Sequence, residues 1–267
     1  MTTKLINGDC IEEMKKLENN SIDLLFTDLP YTTAKTKCTS CSWDKPIDLE
    51  KFWIEVNRIC KINCPMFFCC NTRFGVELIN SNPKNYRYDF IWAKSRKSGF
   101  LTSGKMPLRS HEMVYVFYRK QPIYNVKKYH KPKFLKESNS IIDTKNEDKN
   151  LGNVFYGFDK DKFIDMRKQT GYEPPLPDSL LEIKSVGGKH QSQKPVDLIS
   201  FFIKYYSNEG DTILDATMGS GSTGVACKEL NRNFIGIELD EKIFKIAEER
   251  IGSSSKTSSI SPLCKSS

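Results

Sequence analysis

The stretch Asp23-Leu24-Leu25-Phe26-Thr27-Asp28-Leu29-Pro30-Tyr31 ends an apolar run on a carboxylate, a stiff proline and an aromatic ring. Such an ending suits chemistry on a nucleobase amine, a poor nucleophile because its lone pair is delocalised into the ring. Two acceptors aimed at the amine hydrogens draw the nitrogen toward tetrahedral geometry as it attacks a methyl group. Asp28 can be one acceptor and the backbone carbonyl of Leu29 the other, while Pro30 fixes the turn and Tyr31 can stack on the base. An acid and a proline also end many strands that do no chemistry, so the tetrapeptide needs support from elsewhere in the chain.

A second constellation supplies it. Gly219-Ser220-Gly221-Ser222-Thr223-Gly224 is a G-x-G-x-x-G string between an expected strand and an expected helix, and Glu238 ends the next strand. Glycines there let the backbone turn tightly and approach a ligand, and the acid can accept hydrogen bonds from ribose hydroxyls. A dinucleotide would set its pyrophosphate on the helix N-terminus, whereas S-adenosylmethionine carries no phosphate. Asp215, just before the loop, would repel a pyrophosphate but can bind the ammonium of a methionine moiety. The expected cofactor is therefore S-adenosylmethionine, with a nicotinamide dehydrogenase as the weaker reading.

Positioning these residues calls for alternating strands and helices. The hydrophobic pattern predicts strands at Lys4–Ile6, Ile22–Thr27, Met66–Cys70, Asp89–Ala93, Met113–Tyr118, Thr212–Ala216 and Phe234–Glu238. It predicts helices at Cys10–Leu17, Leu49–Cys60, Pro195–Tyr206, Ser222–Leu230 and Glu241–Arg250. The implied class is α/β with a mostly parallel, Rossmann-like twisted sheet. Strand tips are where ligands sit in such sheets, which accounts for an acid and a tyrosine at the end of a buried strand. Residues 121–189 lose the pattern and read as an insertion between a half spanning 1–120 and a half spanning 190–251; residues 252–267 are Ser/Lys-rich and are expected to be disordered.

The chain has 267 residues, a net charge of +8 and a pI near 8.9, so a large partner is expected to be anionic. From Lys94 to Lys136 twelve basic residues face a single acid, Glu112, with aromatics interleaved. That composition suits a surface meeting phosphates and bases, with Lys127, Lys128, Lys131 and Lys133 as candidate DNA contacts. A solvated lysine-rich face is the plainer reading. Of nine cysteines several, Cys64, Cys69, Cys70 and Cys227 among them, lie in apolar context, which suits buried thiols in a reducing compartment. Cys38-x2-Cys41 with Cys60-x3-Cys64 gives only a weak zinc spacing, and no metal is expected. With neither a long apolar run nor a signal-peptide core, the expectation is a soluble, intracellular, cytoplasmic protein without membrane association.

Asp28-Leu29-Pro30-Tyr31 resembles the Asp-Pro-Pro-Tyr motif of amino-group DNA methyltransferases. "LDATMGSGSTG" is similar to their cofactor loop, usually Asp-Pro-Phe-x-Gly-Ser-Gly-Thr, and "KHQSQKPVDLI" (Lys189–Ile199) to the His-Pro-x-Gln-Lys-Pro segment before it. Catalytic motif first and cofactor loop last is the circularly permuted order of the beta group. The resemblance implies that Asp28 to Tyr31 hold the target amine. It implies that Asp215, Thr217, Gly219, Ser220, Gly221, Ser222 and Glu238 hold S-adenosylmethionine, with Asp28 beside it. It further implies that Lys194 closes over the methionine end, that Asp9 and Cys10 border the adenine, and that the insertion recognises the target. Leu29 replaces the first proline, and Ala216, Thr217 and Ser222 replace the usual Pro, Phe and Thr; at Thr217 the cofactor would go without an aromatic neighbour. An acid at the first motif position leans toward adenine N6 over cytosine N4. Cytosine C5 chemistry needs a Pro-Cys pair, which the chain lacks. The implied activity is site-specific adenine N6 methylation of double-stranded DNA; RNA adenine methylation and an inactive nucleic-acid-binding relative are the other readings. A homodimer is one implied assembly, and a restriction partner is left open.

Overall fold

The computed structural model describes residues 1–31, 46–134, 169–186 and 193–254. The chain runs β1 (Thr3–Asn7), α1 (Cys10–Met14), β2 (Leu24–Thr27), α2 (Leu49–Ile59), β3 (Met66–Cys70), α3 (Thr72–Ser81), β4 (Tyr86–Ser98) and β5 (Arg109–Phe117). It continues through α4 (Val126–Tyr129), β6 (Lys131–Phe134), β7 (Gln169–Glu173), β8 (Leu180–Ile183), α5 (Val196–Tyr206), β9 (Thr212–Asp215), α6 (Ser222–Glu229), β10 (Asn233–Glu238) and α7 (Glu241–Ser253). Cys38, Cys41, Lys189 to Ser192 and much of the insertion lie outside the described residues.

Eight strands form one sheet in the order β1-β10-β9-β2-β3-β5-β4-β8. The first five are parallel; β5 pairs antiparallel with both β3 and β4. Every residue of β2 and β3 is buried, as continuous apolar runs demand when helices cover both faces of a sheet. Because strand side chains alternate, Phe67 and Phe68 serve opposite faces. Phe67 packs on Phe202 of α5, ring centroids 4.6 Å apart, while Phe68 meets Trp53 of α2 at 5.3 Å. α2 buries Phe52, Trp53, Val56 and Ile59 along one side, and the Asp48 carboxylate caps it by accepting from Lys51 N.

β9 leads through α6 outward to β10 while β2 leads through α2 the other way to β3. The crevice between the carboxyl ends of β2 and β9 is therefore the point where strand order reverses and ligands bind. Leu24–Ile213 and Leu25–Leu214 pair across it before the strands part.

Three features go beyond the sequence reading. α3 was not read from the sequence, although Asn71 caps it through Phe74 N at 2.9 Å. β4 and β5 extend past Asp89–Ala93 and Met113–Tyr118 toward each other's ends and make a long hairpin. β8 lies in the 121–189 stretch yet extends the main sheet by pairing with β4. Two compact units result: Met1–Asn125 with Asp178–Ile260, and a second that includes Val126–Pro177. Within the second, β6 pairs antiparallel with β7, and the buried His130 ring bonds the Pro174 carbonyl through Nδ1 at 2.8 Å.

Candidate active site

A cavity of about 810 Å³ opens at the carboxyl ends of β2 and β9. It is bordered by Asp28 to Tyr31 on one side and by Asp215, Gly219 and Glu238 on the other, with Asp9 and Cys10 at the end of β1. The two sequence constellations, almost two hundred residues apart, therefore share one site. Its size lies within the range of small-molecule clefts.

The glycine loop is shaped by conformation and by space at different positions. Gly219 and Gly221 have φ of +52° and +80°, a region that disfavours side chains. A Cβ on Gly219 would meet nothing within 4 Å, so that face is open, whereas one on Gly221 would lie 2.9 Å from Ile251 Cδ1. Glu238 holds the loop: its Oε2 accepts from Gly219 N at 3.0 Å and its Oε1 from Asp240 N at 2.9 Å. Burial pushes the Glu238 carboxyl up, against those backbone donors. Asp215 is buried and accepts from Thr223 Oγ1 at 2.5 Å and Thr217 N at 3.2 Å. Burial nevertheless raises it to about 7.

On the other wall, Asp28 Oδ1 accepts from the Tyr31 hydroxyl at 2.6 Å, and the Lys194 ammonium pairs with Oδ2. The Tyr31 ring stacks on Phe74 of α3 at 5.9 Å while also bordering the cavity. Lys194, which the resemblance put over the methionine end of the cofactor, is paired here with the Asp28 carboxylate. The physical reason is that a buried ammonium needs carboxylates, and two are at hand: Asp28 and, 3.4 Å away, Glu112 Oε2. Burial alone would lower the lysine, but Asp28 and Glu112 raise it. Burial raises Asp28 while the Lys194 ammonium pulls it down.

Glu112, from β5, escaped attention as a site residue because it stood alone in a basic segment. Its Oε1 holds Lys94 at 2.9 Å, while its Oε2 has no hydrogen-bond partner among the described residues. Burial would raise Glu112, but the two lysines hold it below the usual carboxylate range. Arg250 was also missed. It donates to Ser220 O at 3.0 Å and Ser222 Oγ at 3.0 Å, and Ser222 Oγ in turn donates to Lys194 O at 2.8 Å. The loop serines thus hold the Lys194 segment in place, although both also border the cavity. Asp9, expected beside the adenine, spends its carboxylate capping α1 through Ile11 N and Glu12 N. The neighbouring Cys10 thiol is pushed up to about 12 by burial, so it is an unreactive wall.

Thr217 stands where the resemblance would have an aromatic ring against the cofactor. Its hydroxyl lies 2.8 Å from Thr27 Oγ1 and donates to the Asp28 carbonyl at 3.1 Å, linking the two strand tips beyond their last backbone pair. The candidate DNA lysines lie in the second unit. Lys127, Lys128, Lys131 and Lys133 belong to α4 and β6, and Lys133 pairs with Glu173. Two more cations of the basic segment are committed within the first unit, Lys94 to Glu112 and Arg119 to the Cys60 and Lys61 carbonyls. Among the described residues no group of three His, Cys, Asp or Glu could hold a metal, and no helix is long and apolar enough to cross a membrane.

Type II methyltransferase M.HpaI of Haemophilus parainfluenzae is 26% identical over 262 residues, covering 95% of this chain and 75% of the relative. Type II methyltransferase M2.DpnII of Streptococcus pneumoniae is 25% identical, covering 95% and 91%. The crystal structure of an M1.HpyAVI–SAM complex aligns with a TM-score of 0.60 at 21% identity, covering 93% of this chain and all of that one. The cytosine-N4-specific PvuII DNA methyltransferase aligns with a TM-score of 0.63 at 15% identity, covering 94% and 90%; both structures share the fold. A family profile described as DNA methylase, for N6 and N4 methyltransferases, matches residues 22–249. With Asp28-Leu29-Pro30-Tyr31 ahead of the glycine loop, the chain belongs to the DNA methylase family, in the permuted beta arrangement.

Proposed function

We propose that the protein transfers the methyl group of S-adenosylmethionine to N6 of an adenine flipped out of double-stranded DNA. The observation that carries this reading is that Asp28, at the tip of β2, shares one cavity with Asp215, Gly219 and Glu238. The residues fit the cofactor: two buried carboxylates flank an open glycine face. Glu238 would take the ribose, Asp215 the methionine ammonium, and the wall at Asp9 and Cys10 the adenine. Bound there, the cofactor supplies an electrophilic methyl group.

Asp28 and the Leu29 carbonyl accept the two amine hydrogens of the target and aim its lone pair at that methyl. The Tyr31 hydroxyl fixes one Asp28 oxygen. Lys194 must first cede the other, and Glu112 Oε2 stands 3.4 Å from the ammonium to receive it. One amine proton has to leave as the new bond forms, and Asp28, whose proton affinity burial raises, is the acceptor at hand. Sequencing modified bases in DNA from cells expressing the protein tests the reading and defines the site. N4-methylcytosine there would favour the alternative, which the fold shared with the PvuII enzyme accommodates. The type II designation of the relatives supports pairing with a restriction endonuclease, tested by whether the methylated site resists cleavage.

The two cofactor carboxylates should separate in binding. Glu238→Ala is expected to weaken adenosine and S-adenosylmethionine alike, by about tenfold for the missing charged hydrogen bond. Asp215→Ala should weaken only the complete cofactor, and adenosine competition reads the difference. Asp215 also predicts a pH dependence. A cofactor ammonium favours the ionised acid, so binding below pH 7 must first release the proton that burial retains, at a pKa of about 7. Affinity should rise with pH up to about 7 and fall again above about 8, where the free cofactor's α-amino group loses its proton, and Asp215→Asn should flatten the rising limb.

For the basic second unit, neutralising Lys127, Lys128, Lys131 and Lys133 together should weaken binding to all duplexes and flatten its salt dependence. Each lysine–phosphate pairing removed should lower the log–log slope by about 0.9. Because Lys133 shares its charge with Glu173, its contribution should be the smallest. Preference among sequences should survive better than affinity. Fluorescence anisotropy over a salt series checks this, and an unchanged slope returns these lysines to an ordinary solvated surface.

A further inference from the structure

The hairpin joining β4 to β5 ends in an apolar tip that no interaction among the described residues explains. Ser98 pairs with Arg109, and beyond that pair Phe100, Leu101 and Met106 are exposed by 67%, 103% and 57%. Gly99, with φ +91°, turns the chain into a short 3₁₀ segment at Phe100–Thr102 that presents the first two side chains together. A fold gains nothing for its own packing by displaying three large apolar groups at one hairpin end, two of them on a single turn.

Charge and position identify what would meet them. Arg96, Lys97, Lys105 and Arg109 lie within or beside the hairpin tip along the chain and are exposed, and no acid occurs between Ser95 and His111. The stem belongs to the candidate active site: Trp92, Lys94, Arg96, Lys97 and Ser98 border the same cavity as Asp28. A cation-rich element with an apolar end, rising from the rim of a cavity that must receive an extruded base, matches a wedge that enters a base stack while its cations hold the flanking phosphates. A hydrophobic protein partner would give no use to four cations, nor to a stem lining the catalytic cavity.

We propose that Phe100 and Leu101 enter the duplex at the target and fill the space the base leaves, so that the hairpin drives base extrusion while Asp28 and its neighbours carry out transfer. The proposal rests on methylation of duplex DNA and adds to it the element that opens the duplex. A filler that compensates for broken stacking is needed most where the base must be pulled from an intact pair, and least where that pair is already missing.

The test uses the full-length protein and duplexes carrying the methylated site found by sequencing. Phe100→Ser/Leu101→Ser is compared with wild type in single-turnover methylation of a matched duplex and of one with an abasic position opposite the target. Both side chains are exposed, so thermal melting of the variant should match wild type. The variant is expected to lose at least about tenfold on the matched duplex and to come within about threefold of wild type on the abasic-opposed one, with 2-aminopurine at the target position showing less unstacking only in the matched case. Equal rates for variant and wild type on both duplexes would overturn the proposal, as would equal losses on both. A wild-type protein that methylates no DNA would instead overturn the methylation reading on which the proposal stands.

Discussion

Asp28→Ala is expected to lower single-turnover methylation on the order of a hundredfold or more while leaving S-adenosylmethionine affinity within a few-fold of wild type. The carboxylate would act on the amine only as nitrogen becomes tetrahedral, so its loss falls on the rate. The structure adds a second effect. Removing Asp28 leaves the buried Lys194 ammonium with Glu112 as its carboxylate neighbour, 3.4 Å away and outside hydrogen-bond geometry. The variant should therefore also lose stability, by about 3 kcal/mol if no water reaches the ammonium. Asp28→Asn keeps an acceptor for Lys194 and should recover much of the stability and little of the rate. Labelled-cofactor binding, urea unfolding and single-turnover rates on one preparation separate the effects; near-normal turnover in Asp28→Ala would remove Asp28 from the chemistry.

The second large effect is expected from Gly224→Val, and it is one of packing alone. A Cβ on Gly224 would fall 2.4 Å from Ile251 Cδ1 and 2.8 Å from Phe234 Cε1, where α6 meets α7 and β10. Overpacking of a filled core costs about 1–3 kcal/mol, and the branched side chain pushes this to the upper end. A lower urea midpoint with an unchanged m-value is the expected reading. Gly219→Ala provides the contrast. Its Cβ meets no protein atom within 4 Å, so the fold should lose only about 1 kcal/mol, for placing a side chain at φ +52°. The methyl group would enter the cofactor cavity, and cofactor affinity should fall instead.

What the sequence disclosed and what it withheld follow from the range of the interactions. The parallel strands were readable because apolar runs covered on both faces leave an unbroken signal, as in Met66–Cys70. The glycine loop was readable because left-handed backbone at Gly219 and Gly221 narrows the choice of residue. β8 was hidden by its brevity and by polar neighbours, and its place is fixed only by pairing with a strand almost ninety residues earlier. The Lys194–Asp28–Glu112 cluster was hidden for the same reason: its members come from three distant segments, and nothing local to any of them announces the others. Arg250 left no signal beyond a basic residue in the last turn of a helix, because the carbonyl it binds belongs to a loop thirty residues away.

The hydroxyl of Thr217 belongs to the segment leading into the glycine loop, and the carbonyl it bonds is that of Asp28, at the head of the tetrapeptide proposed to hold the base. A ligand that shifted Thr217 would strain its bond to Asp28, and a base that shifted Asp28 would strain the same bond from the other side. With the cofactor on one side of this bond and the target base on the other, as proposed, we expect the two substrates to act as heterotropic effectors of one another. Linkage then requires the exchange to be symmetric: whatever factor the cofactor adds to affinity for the target duplex, the duplex must return to the cofactor. In a Thr217→Val protein, which keeps the shape and loses the bond, both factors should shrink together.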